Sequence, residues 1–153
     1  MGEPVWKNKL LRYVYLQMEY YNQLDRLARL DNDTQIPAMQ GSDGSQRSLL
    51  KASRMERATV RKLEQEKRIN ARIDEILAEM EYLEDAVDNL ADPMQKEVLR
   101  LRYMDGDRCK HMKWDDVAES IYGSSAEKYK MAIWRIHGHA LQELEKQEGT
   151  KNE

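Results

Sequence analysis

The sequence has no phenylalanine, only one cysteine and few residues that interrupt helices. Its 153 residues include three Pro and seven Gly, and Cys109 is the single cysteine. One cysteine excludes an internal disulfide and fits a reducing cytoplasm, where we expect the protein to act. The segment Met1–Leu11 lacks a signal-peptide pattern. No stretch approaches the roughly 20 apolar residues that a membrane-spanning helix needs, so no membrane partner is expected.

Charged residues are abundant, but neither sign dominates the whole chain. They make up 35% of the sequence, and the formal net charge is −3 at pH 7. This balance excludes binding of nucleic acid over the whole surface, so any such binding must depend on local charge. Many charges with few breakers predict long, solvent-exposed helices and an all-α fold.

Composition divides the chain into five segments. We predict an N-terminal helix over 1–30, a flexible linker over 31–48, a long coiled-coil-type helix over 49–91, a DNA-binding domain over 92–147 and a disordered tail over 148–153. The linker follows from its Gly, Ser, Asp and Asn content, which favours turns. In the first helix, alternating steps of four and three predict one inward face: Leu10, Val14, Gln17, Tyr21, Leu24 and Ala28.

The long helix contains a heptad seam that predicts an oligomer. Its apolar residues keep strict four-three spacing: Ile69, Ile73, Ile76, Met80, Leu83, Val87 and Leu90. A lone helix cannot leave such a stripe in water. We therefore expect a helical hairpin or coiled coil with the first helix, within one chain or between chains, and a homo-oligomer.

Charge is segregated along the same helix. Lys51–Arg72 contains eight basic and three acidic residues, whereas Ile73–Asp92 contains no Lys or Arg. Three interpretations stay open at this point: two solvated faces, an antiparallel pairing of the oppositely charged halves, or contact of the basic half with DNA phosphate.

Three short helical patterns follow in the C-terminal third. Asp92-Pro93 predicts a helix start, with Asp as N-cap and Pro in the first turn. A short amphipathic helix is expected over Trp114–Ile121, and a turn over Tyr122 to about Lys128. The final helix would place Ile133 and Ile136 inward.

These strings resemble the upstream-promoter-binding domain of bacterial sigma factors. The resemblance rests on Val98-Leu99-Arg100-Leu101-Arg102-Tyr103, Trp114-Asp115-Asp116-Val117-Ala118 and Ala140-Leu141-Gln142-Glu143-Leu144. With the long helix before it, the chain is similar to phage late-transcription regulators of the ArpU and RinA kind and to related sigma-like phage proteins. The resemblance implies a tri-helical helix-turn-helix that binds promoter DNA, in a regulator of phage or prophage late genes. RNA polymerase is a further candidate partner.

The last helix supplies the candidate DNA contacts. They are Lys128, Tyr129, Lys130, Trp134 and Arg135. Arginine is suited to guanine, lysines at a helix start suit phosphate, and the aromatic rings suit sugar or thymine methyl groups. For Trp134 the alternative is a place in the domain core or in a dimer contact.

No catalytic or metal site is predicted. The sequence has no phosphate-binding glycine motif, nucleophile elbow or zinc-protease motif. His137 and His139 lie two apart, which points them in different directions on a helix. We therefore expect neither an enzyme nor a cofactor. Two alternatives remain to a transcription regulator: a small terminase subunit that recognises DNA for packaging, and a sigma-like adaptor that docks on RNA polymerase or another protein without binding DNA.

Overall fold

The computed structural model describes residues 5–33, 46–106 and 110–151, in which every regular element is a helix and no β-strand occurs. The all-α prediction is therefore confirmed. The helices are α1 (Val5–Asp33), α2 (Gln46–Asp88), α3 (Pro93–Leu99), α4 (Trp114–Tyr122) and α5 (Glu127–Lys151), and a π-helical turn, Arg100–Met104, continues α3. The chain forms two compact units. The terminal unit comprises Met1–Glu19 and Ala78–Glu153, and the middle unit is Tyr20–Leu77.

The core of the terminal unit joins α3, α4 and α5. Val98, Val117, Ala118 and Ile133 are fully buried there. Partly buried apolar side chains surround them: Leu101, Met112, Trp114, Ile121, Tyr129 and Ile136. At about 25 cal/mol per Å² of apolar surface, this burial holds α3 and α4 against the longer α5, since helices of seven and nine residues are too short to be stable alone.

The boundaries of these helices follow from their end residues. The Asp92 side chain accepts a hydrogen bond from the Met94 amide at 2.8 Å, and Pro93 occupies the first turn of α3, as the sequence predicts. Gly123 ends α4 with φ of 75°, a left-handed conformation that glycine adopts without strain. α5 begins four residues later at Glu127, so the turn is shorter than the predicted span from Tyr122 to about Lys128.

The part of α1 in the terminal unit packs against α2 and α5. Trp6, Leu10, Tyr13 and Leu16 are buried. The Tyr13 hydroxyl donates to Glu84, and the Trp6 indole donates to Glu148 at 3.0 Å. The buried face is therefore rotated from the predicted one: it uses Tyr13 and Leu16 where we expected Val14 and Gln17, because the large aromatic rings bury more area.

The seam on α2 is buried within a single chain. Met80 is partly buried, and the other six residues are 9% exposed or less. The three isoleucines lie in the middle unit, and the other four seam residues lie in the terminal unit. Burial of the seam therefore requires no second copy, and the homo-oligomer stays a prediction.

Two of the predicted segments have boundaries that differ from those in the structure. α5 continues to Lys151, so the prediction of a disordered tail from residue 148 is wrong as far as residue 151. The physical reason is the anchoring of Glu148, which accepts from Trp6 and pairs with Lys9 Nζ at 2.9 Å. The linker prediction over 31–48 is wrong at both ends, where α1 runs to Asp33 and α2 starts at Gln46. Its centre, 34–45, lies outside the described residues.

Candidate nucleic-acid interface

One face of α5 points to solvent along its first three turns. Met131 follows Lys128 at a helical step of three, Trp134 and Arg135 follow Met131 at steps of three and four, and all four are exposed. Met131 is 53% and Trp134 is 45% exposed. Ile133, on the opposite side, is fully buried. This stripe contains three of the five predicted contact residues, and Trp134 lies outside the core cluster rather than in it.

Tyr129 and Lys130, the other two predicted contacts, are turned partly inward. The Tyr129 ring stacks on Tyr122 with 4.9 Å between ring centroids, and it packs on the core. Lys130 Nζ lies 3.2 Å from Asp115 and 3.4 Å from Glu127. These carboxylates raise the pKa of Lys130 and neutralise its charge locally. Lys130 would therefore have to break these ion pairs before it could bind a phosphate.

A recess opens beside this stripe, between the residues before α4 and the first turns of α5. It is lined by Arg102, His111, Lys113, Trp114, Asp115, Lys130 and Trp134. Two indole rings thus border a recess with three permanent cations and one carboxylate. Such a combination of aromatic surface and excess positive charge suits a phosphate or a nucleotide base.

Arg102 is the most constrained cation in the recess. Its guanidinium carbon lies 4.1 Å from the centroid of the Trp114 ring, and one terminal nitrogen donates to the carbonyl oxygen of Met112. Burial lowers the pKa of Arg102, although arginine stays charged in proteins. Its buried Nε finds no acceptor among the described residues. An anion in the recess would relieve this uncompensated charge.

Arg135 and Lys128 retain unneutralised charge on the outward stripe of α5. Arg135 is exposed and forms no ion pair with any residue in the described part of the chain. Lys128 Nζ lies 4.8 Å from the Tyr129 ring centroid, a weak contact that leaves its charge available. Both side chains can therefore reach an external anion without breaking an ion pair.

Behind the recess, His137 anchors α5 to the π-helical turn. Its Nε2 lies 2.7 Å from the Tyr103 hydroxyl, and its ring meets Trp114 edge-on with 4.9 Å between centroids. Burial, with the positive charges of Arg102 and Lys7, lowers the pKa of His137 to about 4. Neutral His137 thus fixes the position of Trp114, which in turn supports Arg102.

No metal site appears in the described ranges, where no three His, Cys, Asp or Glu side chains are grouped to hold an ion. His139 is exposed whereas His137 is held by Tyr103, and Cys109 lies outside the described residues. No helix in the described part of the chain is long and apolar enough to cross a membrane.

Sequence reasoning missed five lining residues of the recess: Arg102, His111, Lys113, Trp114 and Asp115. Arg102 and Trp114 belong to the strings on which the sigma-factor resemblance rests. Their position beside Trp134, however, depends on the packing of α3 and α4 against α5. Only Lys113 had a signal in the sequence, because it directly precedes a predicted helix.

Comparison of the chain with models of known protein families, with curated proteins and with solved structures finds no match.

Proposed function

We propose that the protein is a sequence-specific DNA-binding transcription regulator. In this proposal α3, α4 and α5 form a tri-helical helix-turn-helix, with α5 as the recognition helix. The observation that supports it best is the outward stripe of α5, where unpaired Arg135 and exposed Trp134 adjoin the cationic recess. The early turns of a recognition helix are the part that reaches base edges in the major groove.

Each side chain of the stripe has a distinct role in this arrangement. Arg135 donates to the O6 and N7 atoms of a guanine, which would contribute about 1–3 kcal/mol of discrimination. Trp134 contacts a sugar or a thymine methyl group. Lys128 and Lys113 lie at the starts of α5 and α4, where the helix dipole also favours a phosphate.

The local charge is compatible with this role despite the acidic chain. The net charge of −3 makes association over the whole surface unfavourable. The recess contains Arg102 and Lys113, and the stripe that meets it at Trp134 contains Lys128 and Arg135. Asp115 and Glu127 are paired with Lys130. Phosphate contacts from these cations would position the protein, and Arg135 would read the base.

Selection of duplexes from a random library with the purified full chain tests the proposal. We expect enrichment of one short motif that contains a guanine. Enrichment of no motif would contradict sequence-specific binding. When the same selection uses genomic fragments, recovery of promoters supports regulation, whereas recovery of a single packaging site would favour a small terminase subunit. The phage or prophage setting and RNA polymerase as a partner rest on the sigma-factor resemblance alone.

A second candidate is an adaptor that docks α5 on another protein. The observation that favours it is the apolar content of the stripe: Met131 and Trp134 are half-exposed side by side, and Met and Trp are enriched at the centres of protein interfaces. The paired Lys130 is compatible with either function. If purified RNA polymerase protects Trp134 fluorescence from a collisional quencher and selected DNA does not, the adaptor is the better description.

A further inference from the structure

The middle unit contains a groove lined by arginine and glutamine. Two adjoining recesses share Arg26, Gln65 and Ile69 and form this arginine groove. Its remaining lining residues are Gln23, Arg29, Leu30, Arg68 and Arg72. Both α1 and α2 contribute, and none of these lining residues is acidic.

The positive charge of the groove is largely uncompensated. Arg29 and Arg68 are exposed and form no ion pair with any residue in the described ranges, and Arg26 contacts only the Gln23 side-chain oxygen at 3.5 Å. Arg72 also lines the groove, but its charge is paired, since it lies 2.9 Å from Glu75. Like charges held close together repel each other, so the groove favours an anion that spans several of them.

We propose that the arginine groove binds the phosphate backbone of double-stranded DNA without regard to base sequence. The guanidinium group matches phosphate oxygens in a two-pronged geometry, and glutamine amides are frequent phosphate donors. Buried Ile69 contributes apolar surface to both recesses of the groove. A duplex presents one negative charge per about 1.7 Å of its axis, so several arginines can be satisfied at once.

An acidic protein is the less favoured occupant. A protein partner needs apolar anchors that become buried at the interface. In the groove the apolar side chains are Ile69, which is 4% exposed, and half-buried Leu30. The groove therefore offers donors for phosphate but little apolar surface. The inference goes beyond the proposed function, because it requires no base reading by α5.

Fluorescence anisotropy with a random-sequence duplex and the full chain tests the groove. The test variant combines Arg29→Gln and Arg68→Gln, which removes two cations while keeping good helix formers. The matched control combines Arg54→Gln and Arg57→Gln. These two arginines lie on α2, as Arg68 does, and they are exposed and do not line the groove. Circular dichroism checks that both variants keep the helix content of the parent.

We expect the groove variant alone to change the salt dependence. Loss of two phosphate contacts lowers the slope of log affinity against log salt by about 1.8, so the parent's advantage shrinks about tenfold between about 50 and about 200 mM salt. Equal effects of groove and control variants would overturn the proposal, because only overall charge would then matter. It would also be overturned if the groove variant loses binding to phosphatidylserine vesicles but keeps duplex binding.

The proposals for the two DNA-binding surfaces, the outward stripe of α5 and the arginine groove, can be refuted independently. Arg135→Ala should lower affinity for a selected sequence and leave the slope for the random duplex close to that of the parent. A chain that selects no motif can therefore still bind the random duplex through Arg29 and Arg68. Conversely, sequence selection can persist in a chain whose groove variant behaves like the control.

Discussion

Protonation of His137 should destabilise the protein as the pH falls from about 7 to about 4. The pKa of this side chain drops from its ordinary value of 6.5 to about 4 on folding, first through burial and then through the charges of Arg102 and Lys7. The unfolded chain therefore binds a proton more readily than the folded chain. Stability from neutral His137 is fully present above pH 6.5 and is lost progressively as the pH falls toward 4.

The size of the effect follows from the difference between the two pKa values. Each tenfold change in proton affinity corresponds to about 1.4 kcal/mol, so the free energy of unfolding should drop by about 2 kcal/mol at pH 5 and about 3 kcal/mol at pH 4. Burial raises the pKa of the Tyr103 hydroxyl, so this group keeps its proton, and it can donate to Nε2 of the His137 tautomer that carries its proton on Nδ1. A protonated imidazole cannot accept this hydrogen bond.

Urea unfolding of the parent and a His137→Gln variant measures this pH-dependent contribution of His137 to the free energy of unfolding. The difference in unfolding free energy between the two proteins should change by about 2 kcal/mol between pH 7 and pH 5, since the carboxylates that titrate in both proteins cancel. A difference that stays constant over this range would refute the burial of His137. So would a nuclear magnetic resonance titration that places its pKa near 6.5.

Three further predictions concern the same unit. Ile133→Ala should cost about 2–5 kcal/mol of unfolding free energy in thermal or urea melts, because it leaves a cavity in the core; a cost below 1 kcal/mol would contradict the packing. Gly138→Ala should raise stability by about 0.8–1 kcal/mol, since an added methyl group meets nothing within 4 Å; destabilisation in the same melts would show that α5 is placed wrongly. Lys130→Ala should weaken affinity for selected DNA in anisotropy titrations much less than Arg135→Ala, because Asp115 already pairs with Lys130; an equal loss would contradict that pairing.

The sequence predicted the helices well because the relevant signals are local. The long stretch without Pro or Gly predicts α2. The heptad spacing within it predicts the buried positions, which include Ile76, Leu83 and Val87. The rotation of α1 was not predictable from spacing, since Tyr13 and Val14 are neighbours and only packing against α2 selects between them. The π-helical turn at Arg100–Met104 likewise has no signal of its own in the sequence.

The candidate site was predictable only in part, for a related reason. Position along the final helix correctly indicated that Trp134 and Arg135 face outward. It did not show that Lys130 meets Asp115, because the two residues belong to different helices and approach only when α4 packs on α5. Arg102 lies 32 residues before Trp134 in the sequence, and the shared recess depends entirely on tertiary packing.

The affinity of Arg135→Ala for a selected duplex tests the central claim most directly. The variant should bind the selected sequence about 5- to 150-fold more weakly than the parent, as loss of about 1–3 kcal/mol of base contact implies, with its melting temperature almost unchanged. Lys146→Ala is the matched control, since Lys146 is 73% exposed on the same helix and does not line the recess. If Arg135→Ala and Lys146→Ala both bind like the parent at low and moderate salt, α5 does not read DNA.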